Sequence, residues 1–414
     1  MDDSFLEDDP PNPYRPGAGH MPPCLAGRSS ETEEFDDILD QDVVLRNLVL
    51  TGLRGLGKTV LLEKLKPGAI ERGWYWAGAD LSESTSVSEE HMAIRLLTDL
   101  SVVTSSIHFT YATNRPHGFP LGPDRTPTAI AALDYPMLRA VYDGTPGLVA
   151  DKLKAVIEYV WPHVQEIGGR GLVFAYDEAQ NLSDHALKGE YPLSLLLDVF
   201  QSLQRKNIRC LLVLTGLPTL FPKLVEARTY AERMFHVVFL EPLTEDETAT
   251  AVLRPLERHP SLSPSPSTVQ AIYQMTRGYP YFVQYVCREA FDVWRVARHR
   301  GGTAHLPVRE IMRKLDTDFF AGRWARATDR QRDLLGIVAR LPGGQGEFSV
   351  QEITSHPSNR TMPKPFSASH VNQMLTTLGE AGLVYKNRHG RYSLALPLMT
   401  DFIRRWQAEN EVKS

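Results

Sequence analysis

The residues best suited to chemistry are Gly52-Leu-Arg-Gly55-Leu56-Gly57-Lys58-Thr59. They follow Asn47-Leu-Val-Leu-Thr51, which reads as a strand, and precede Val60-Leu-Leu-Glu-Lys-Leu65, which reads as a helix. Strand, glycine loop with Gly-Lys-Thr, then helix is the context of a phosphate-binding loop. Glycines let backbone N–H groups crowd a phosphate, and the helix N-terminus adds a partial positive charge. The expected contacts run over Gly52, Gly55, Leu56, Gly57, Lys58, Thr59 and Val60. Lys58 reaches the outer phosphates, and the Thr59 hydroxyl binds a magnesium ion.

A second acidic signal completes the first. Gly171-Leu-Val-Phe-Ala-Tyr-Asp177-Glu178 is an apolar run ending in two acids. In an α/β sheet, ligands sit beyond the carboxyl ends of the strands, so both acids are delivered beside the loop. Asp177 is expected to hold the metal through water, and Glu178 to polarise the attacking water. Thr215 ends the next apolar run, Leu211-Leu-Val-Leu-Thr215, where a small polar group can touch the outer phosphate.

These motifs need a scaffold. Apolar runs at 47–51, 74–80, 171–176, 208–215 and 236–240 alternate with helical periodicity at 89–101, 146–165 and 191–204. Strands alternating with helices predict a parallel sheet covered on both faces. Residues 104–146 lose periodicity and read as a long insertion. From Thr244 to about Phe320 the pattern turns wholly helical.

The chain therefore resembles an AAA+ P-loop ATPase of the branch shared by origin-recognition-like replication initiators and STAND ATPases. Leu25-Ala-Gly27-Arg28 resembles the box that helps enclose adenine, and Gly52–Thr59 and Gly171–Glu178 match Walker A and Walker B. Thr215 matches sensor 1, and Gly278-Tyr-Pro280 matches the Gly-x-Pro lid motif. Ala231-Glu-Arg233 resembles the stretch carrying an arginine finger, with Arg228 as fallback. Two departures stand out. Thr59 and Asp177 lie 118 positions apart, and Tyr281 occupies the place of a sensor 2 arginine.

The resemblance implies an α/β AAA+ core over 23–243, a helical lid over 244–322 and a winged-helix domain over 323–414. Residues 1–22 read as an acidic arm, disordered or loosely docked. In the last block, helical patterns at 329–341, 349–356 and 367–382 precede a hairpin around Arg388-His-Gly. Lys386, Arg388, His389 and Arg391 make its tip basic, which suits double-stranded DNA.

Bulk properties agree. Of 414 residues, 42% are hydrophobic and 23% charged. The formal net charge of -5 hides an asymmetry: residues 1–40 sum to −9 and residues 323–414 to +5. No run approaches the ~18–20 apolar residues of a membrane span. The three cysteines, Cys24, Cys210 and Cys287, suggest neither disulfides nor zinc. The start reads as no signal peptide, so a cytoplasmic protein is expected.

The implied activity is slow Mg2+-dependent hydrolysis of ATP to ADP and phosphate. The protein acts as a molecular switch, with nucleotide state setting homo-oligomerisation and engagement of DNA or a protein partner. The alternative is a STAND-like signalling or scaffold ATPase, for example in a defence system, without a direct DNA role.

Overall fold

The computed structural model describes residues 10–17, 19–112, 128–299, 305–342, 346–388 and 390–411. It divides into two compact units.

The first unit, Ser30–Thr51 with Leu61–Phe239, is built on a five-stranded sheet. Its strands are β1 (Asn47–Thr51), β2 (Trp74–Ala77), β5 (Gly171–Tyr176), β6 (Cys210–Gly216) and β7 (Phe235–Phe239). They lie in the order β2-β5-β6-β1-β7, and every pairing is parallel. All residues of β1, β5 and β6 are buried, as a sheet covered on both faces requires. Registers such as Leu50↔Thr215 and Ala175↔Val213 align the strand ends.

The covering helices are α1 (Ser29–Asp40), α2 (Lys58–Glu71), α3 (Glu89–Thr104), α4 (Tyr135–Gly144), α5 (Val149–Glu166) and α6 (Pro192–Arg205). Two short helices follow, α7 (Leu220–Ala227) and α8 (Ala231–Met234). Caps set their starts. Ser88 accepts a hydrogen bond from His91 N at α3, and Asp134 accepts from Met137 N at α4. Phe174 of β5 and Phe200 of α6 meet edge to face at 5.1 Å in the core.

The insertion reading of 104–146 needs correction. This stretch contains the antiparallel hairpin β3 (His108–Ala112) and β4 (Thr128–Ala132), and then α4. Leu133, Leu138 and Tyr142 are buried in the same apolar core as the sheet. Helical spacing at 135–142 was masked by the proline and glycine around it. Residues 113–127 of the expected insertion lie outside the described residues.

The second unit comprises Met1–Ser29, Gly52–Val60 and Leu240–Ser414. Its long helices are α9 (Glu245–Leu253), α10 (Pro266–Thr276), α11 (Pro280–His299) and α12 (Val308–Leu315). A π-helical stretch, Asp316–Ala321, leads into α13 (Gly322–Trp324). The C-terminal part holds α14 (Asp329–Arg340), α15 (Val350–Ser355), α16 (Pro357–Arg360), α17 (Ala368–Glu380), strands β8 (Val384–Arg388) and β9 (Arg391–Leu394), and α18 (Met399–Glu411). Sequence periodicity captured α14, α15, α17 and the hairpin, but not α18. The stretches read as lid and winged helix share one apolar core, from Leu243 to Ile403.

The arm is docked rather than loose at residues 10–17. Tyr14 is fully buried, and its hydroxyl donates to the Val252 carbonyl at 2.6 Å. Its ring meets Phe291 and Trp294 edge to face at 6.3 and 6.5 Å. Residues 1–9 of the expected disordered arm lie outside the described residues. Cys210 and Cys287 are buried, and burial pushes both thiols well above their usual range. Among the described residues, no helix is long and apolar enough to cross a membrane.

Candidate nucleotide-binding site

The glycine loop begins where β1 ends. Its backbone explains its glycines. Gly55 and Gly57 have φ of +85° and +86°, a region that L side chains avoid. At Gly52 the constraint is space: a Cβ there would stand 3.1 Å from the Leu240 carbonyl oxygen. Lys58 opens α2 and is buried, at 8% exposure. Its Nζ donates to the carbonyls of Gly52 at 2.8 Å and Leu53 at 3.0 Å. The cation is thus curled across its own loop, with the loop oxygens offsetting its desolvation.

Arg28 braces the same loop. It is buried and donates to Gly27 O at 2.8 Å, Leu56 O at 3.1 Å and Glu241 O at 2.8 Å. Arginine suits this place because its planar fork offers several fixed donors. Gly27 has φ +64°, and a Cβ there would fall 2.6 Å from the Glu247 carboxylate carbon. Glu247 is committed to the capping box at the start of α9. The Gly-Arg pair is therefore demanded by backbone geometry, whatever else it touches.

The lid motif meets the loop through its backbone. Tyr281 N, at the start of α11, donates to Gly55 O at 3.1 Å. Gly278 has φ +70°, and a Cβ there would stand 1.9 Å from Leu243 O. Leu243 N in turn donates to Gly278 O at 2.8 Å. Pro280 begins α11 in the position where a missing N–H costs nothing. Arg277, one residue before Gly278, donates to Asp401 of α18 at 2.7 Å.

In the first unit, the acidic residues lie at the carboxyl ends of β5 and β6. Asp177 is buried at 3% exposure and Thr215 at 0%. The Thr215 hydroxyl donates to Asp177 Oδ1, and the Glu178 N–H donates to the same oxygen at 2.7 Å. Glu178 holds a left-handed backbone with φ +51°, uncommon outside glycine. Such strain collects at functional sites. Gln180 Nε2 donates to Glu178 Oε2, while Gln180 Oε1 accepts from Leu217 N at 3.0 Å. Gln180 was not singled out from sequence; its only signal was position, two residues past the acids.

The arginines separate clearly. Arg228 is bidentate to Asp198, at 2.9 and 2.7 Å, and Tyr230 donates to the same carboxylate. Hydrogen bonds to Asp198 raise the Arg228 pKa. Arg233 stands exposed on α8, with no ion pair among the described residues. In the C-terminal hairpin Lys386 is exposed, but Arg391 is engaged by Glu352 at 2.9 Å. The side chain of Arg388 and the whole of His389 lie outside the described residues.

The ORC2 protein of Aeropyrum pernix in its ADP form is similar at TM-score 0.54 and 16% identity, covering 95% of this chain and 97% of that one. The same protein with ADPNP and ADP is similar at TM-score 0.50 and 16% identity, covering 95% and 98%. This chain has the AAA+ P-loop fold. A model for a domain of unknown function, DUF8462, matches residues 317–403, within the second unit. No curated protein matches its sequence.

Proposed function

We propose that the chain is a magnesium-dependent AAA+ ATPase that acts as a molecular switch. The observation that carries this reading is the constellation Thr215, Asp177 and Glu178 at the carboxyl edge of the sheet that ends in the Gly52–Thr59 loop. β1 neighbours β6, and β6 neighbours β5, so one edge of one sheet emits both motifs. Ligands of α/β sheets sit at that edge. The ORC2 protein of Aeropyrum pernix, which has the same fold, is known in complexes with ADPNP and ADP.

In this reading the loop N–H groups bind the phosphates, and Lys58 exchanges its loop carbonyls for phosphate oxygens. Gly27 and Arg28 flank the adenine, and Gly278 and Pro280 set the lid over it. Asp177 and Thr59 offer hard oxygen donors, which fit magnesium. When bound, the ion neutralises charge developing on the outer phosphates. Thr215 orients Asp177 through its hydroxyl. Glu178 accepts a proton from water as the base, with Gln180 holding its other side. Arg233 acts on the ATP of a neighbouring copy, giving a homo-oligomer its interdependence.

The downstream role is engagement of double-stranded DNA or a protein partner by the C-terminal winged helix, with Lys386 as the free basic contact. Magnesium-dependent release of phosphate by the purified chain, lost in Lys58→Ala, tests the core of the proposal. Absence of nucleotide binding by the wild type would overturn it.

A second reading is a slow STAND-like signalling ATPase. The direct bond between Tyr281 N and Gly55 O favours it, since the lid grips the loop by backbone and offers no arginine at that place.

A further inference from the structure

The tip of the phosphate loop carries Arg54, which is exposed. Among the described residues it forms no hydrogen bond or ion pair through its side chain. A Cβ on Gly382, at the end of α17, would stand 3.5 Å from Arg54 Nη1. The guanidinium of this loop residue therefore lies against the C-terminal part of the helical unit.

A second arginine approaches by another route. Gly55 O binds Tyr281 N, and a Cβ on Gly55 would lie 3.2 Å from Tyr281 Cβ. The Tyr281 ring packs on Phe319 with centroids 5.3 Å apart. Phe319 belongs to the π-helical stretch, a kind of irregularity frequent at functional sites. The Arg323 guanidinium sits 4.5 Å over the Phe319 ring, and its Nη1 donates to Phe319 O at 2.8 Å. Partial burial lowers the Arg323 pKa, and the charges of Arg54 and Arg326 lower it further. Arg326 is exposed, and its side chain has no acidic partner among the described residues. The nearby carboxylate of Asp318 accepts from the Tyr285 hydroxyl at 3.1 Å.

Arg54 thus borders Gly55, which meets the Tyr281–Phe319–Arg323 stack, and Arg326 N donates to Arg323 O at 3.1 Å one turn further on. Like charges that approach one another repel, and a bound anion relieves that repulsion through charge-assisted hydrogen bonds. We propose that Arg54, Arg323 and Arg326 form a phosphate-binding cluster, distinct from Lys58, between the phosphate loop and the C-terminal part of the helical unit. Phosphate fits because arginine forks match its oxygens, and the central guanidinium is held flat on an aromatic ring. The phosphate has two possible sources. One is the tail of a bound nucleoside triphosphate, an assignment that rests on the function proposed above. The other is a nucleic-acid backbone.

The test uses the full chain, with Arg323→Gln and Arg54→Ala as variants and the thermal midpoint as the folding control. Arg323→Lys serves as a second variant that keeps the charge and restores part of the binding. Affinities are measured for ATP, ADP, inorganic tripolyphosphate and a short DNA duplex. A roughly tenfold fall in the ratio of ATP to ADP affinity, with ADP binding retained, assigns the nucleotide tail. An unchanged ratio with roughly tenfold weaker duplex binding and a shallower salt dependence assigns a nucleic-acid backbone. If all four affinities survive in both folded variants, the cluster does not bind phosphate and the proposal falls. A wild type that binds no nucleotide overturns the ATPase reading alone, because tripolyphosphate and duplex still probe the cluster.

Discussion

Thr215 donates its hydroxyl hydrogen to Oδ1 of Asp177, and both side chains are buried. The register that sets Tyr176 beside Leu214 brings the next residue of each strand together. Two positions 38 apart in sequence thereby become one polar unit in an apolar sheet.

Thr215→Val keeps the shape and removes this donor. Asp177 would retain the Glu178 N–H but lose its partner across the strands. The expected cost is about 2 kcal/mol, because the acceptor is charged and buried. Urea unfolding reads the stability change. The magnesium concentration needed for half-maximal turnover should rise, since Asp177 is no longer oriented.

Glu178→Gln preserves the size of the side chain and its place beside Gln180. It removes the carboxylate proposed as the base. ATP affinity should stay within about threefold, while phosphate release slows by about 100- to 10,000-fold. Single-turnover kinetics separate the two effects. Unchanged release would exclude Glu178 from proton transfer.

Arg28→Ala leaves the carbonyls of Leu56 and Glu241 without their buried donor. Each unmet group costs about 1–3 kcal/mol. We expect a lower melting temperature and weaker binding of ADP and ATP alike, because the loop itself is loosened. A loss confined to ATP would point to a phosphate contact instead.

Arg233→Ala and Arg228→Ala should diverge. The Arg228 and Asp198 side chains are 35% and 41% exposed, so breaking the pair changes stability by less than about 1 kcal/mol. Arg233→Ala should leave melting unchanged but reduce turnover in the oligomer. Mixing Arg233→Ala with Lys58→Ala subunits restores activity if the arginine works on a neighbour. No recovery on mixing would return Arg233 to an ordinary surface residue.

Tyr14→Phe removes one buried hydrogen bond, at about 1–2 kcal/mol for the hydroxyl and the stranded Val252 carbonyl. Tyr14→Ala also empties the ring's place among Phe291 and Trp294, and should cost about 3–5 kcal/mol. Both are read by thermal unfolding of the full chain.

The sequence made the candidate site legible wherever it depends on short spacing. Gly52 to Thr59 and Asp177-Glu178 are local signals, and the strands that present them are long apolar runs. The resemblance in turn placed Gly278 and Pro280, whose backbone geometry now explains them. Features set by distant packing stayed hidden. Tyr14 sits in a proline-rich acidic stretch with no periodicity, and its partner carbonyl lies 238 positions away. The pairing of Arg391 with Glu352 spans 39 positions, so a basic tip read from composition is partly neutralised. The hairpin of β3 and β4 escaped notice because its strands are interrupted by residues with no apolar pattern. Arg54 carries no signal of its own within the glycine loop, because its approach to Gly382 is set by the fold.

The burial of Tyr14 turns the amino-terminal segment into a reporter. A chymotrypsin-type protease cuts after tyrosine, but only when that ring has left its place between α9 and α11. The rate of this single cut therefore counts excursions of the helical unit from its closed packing. If bound nucleotide slows the cut in proportion to its occupancy, the unit opens as one body with the loop that Lys58 terminates.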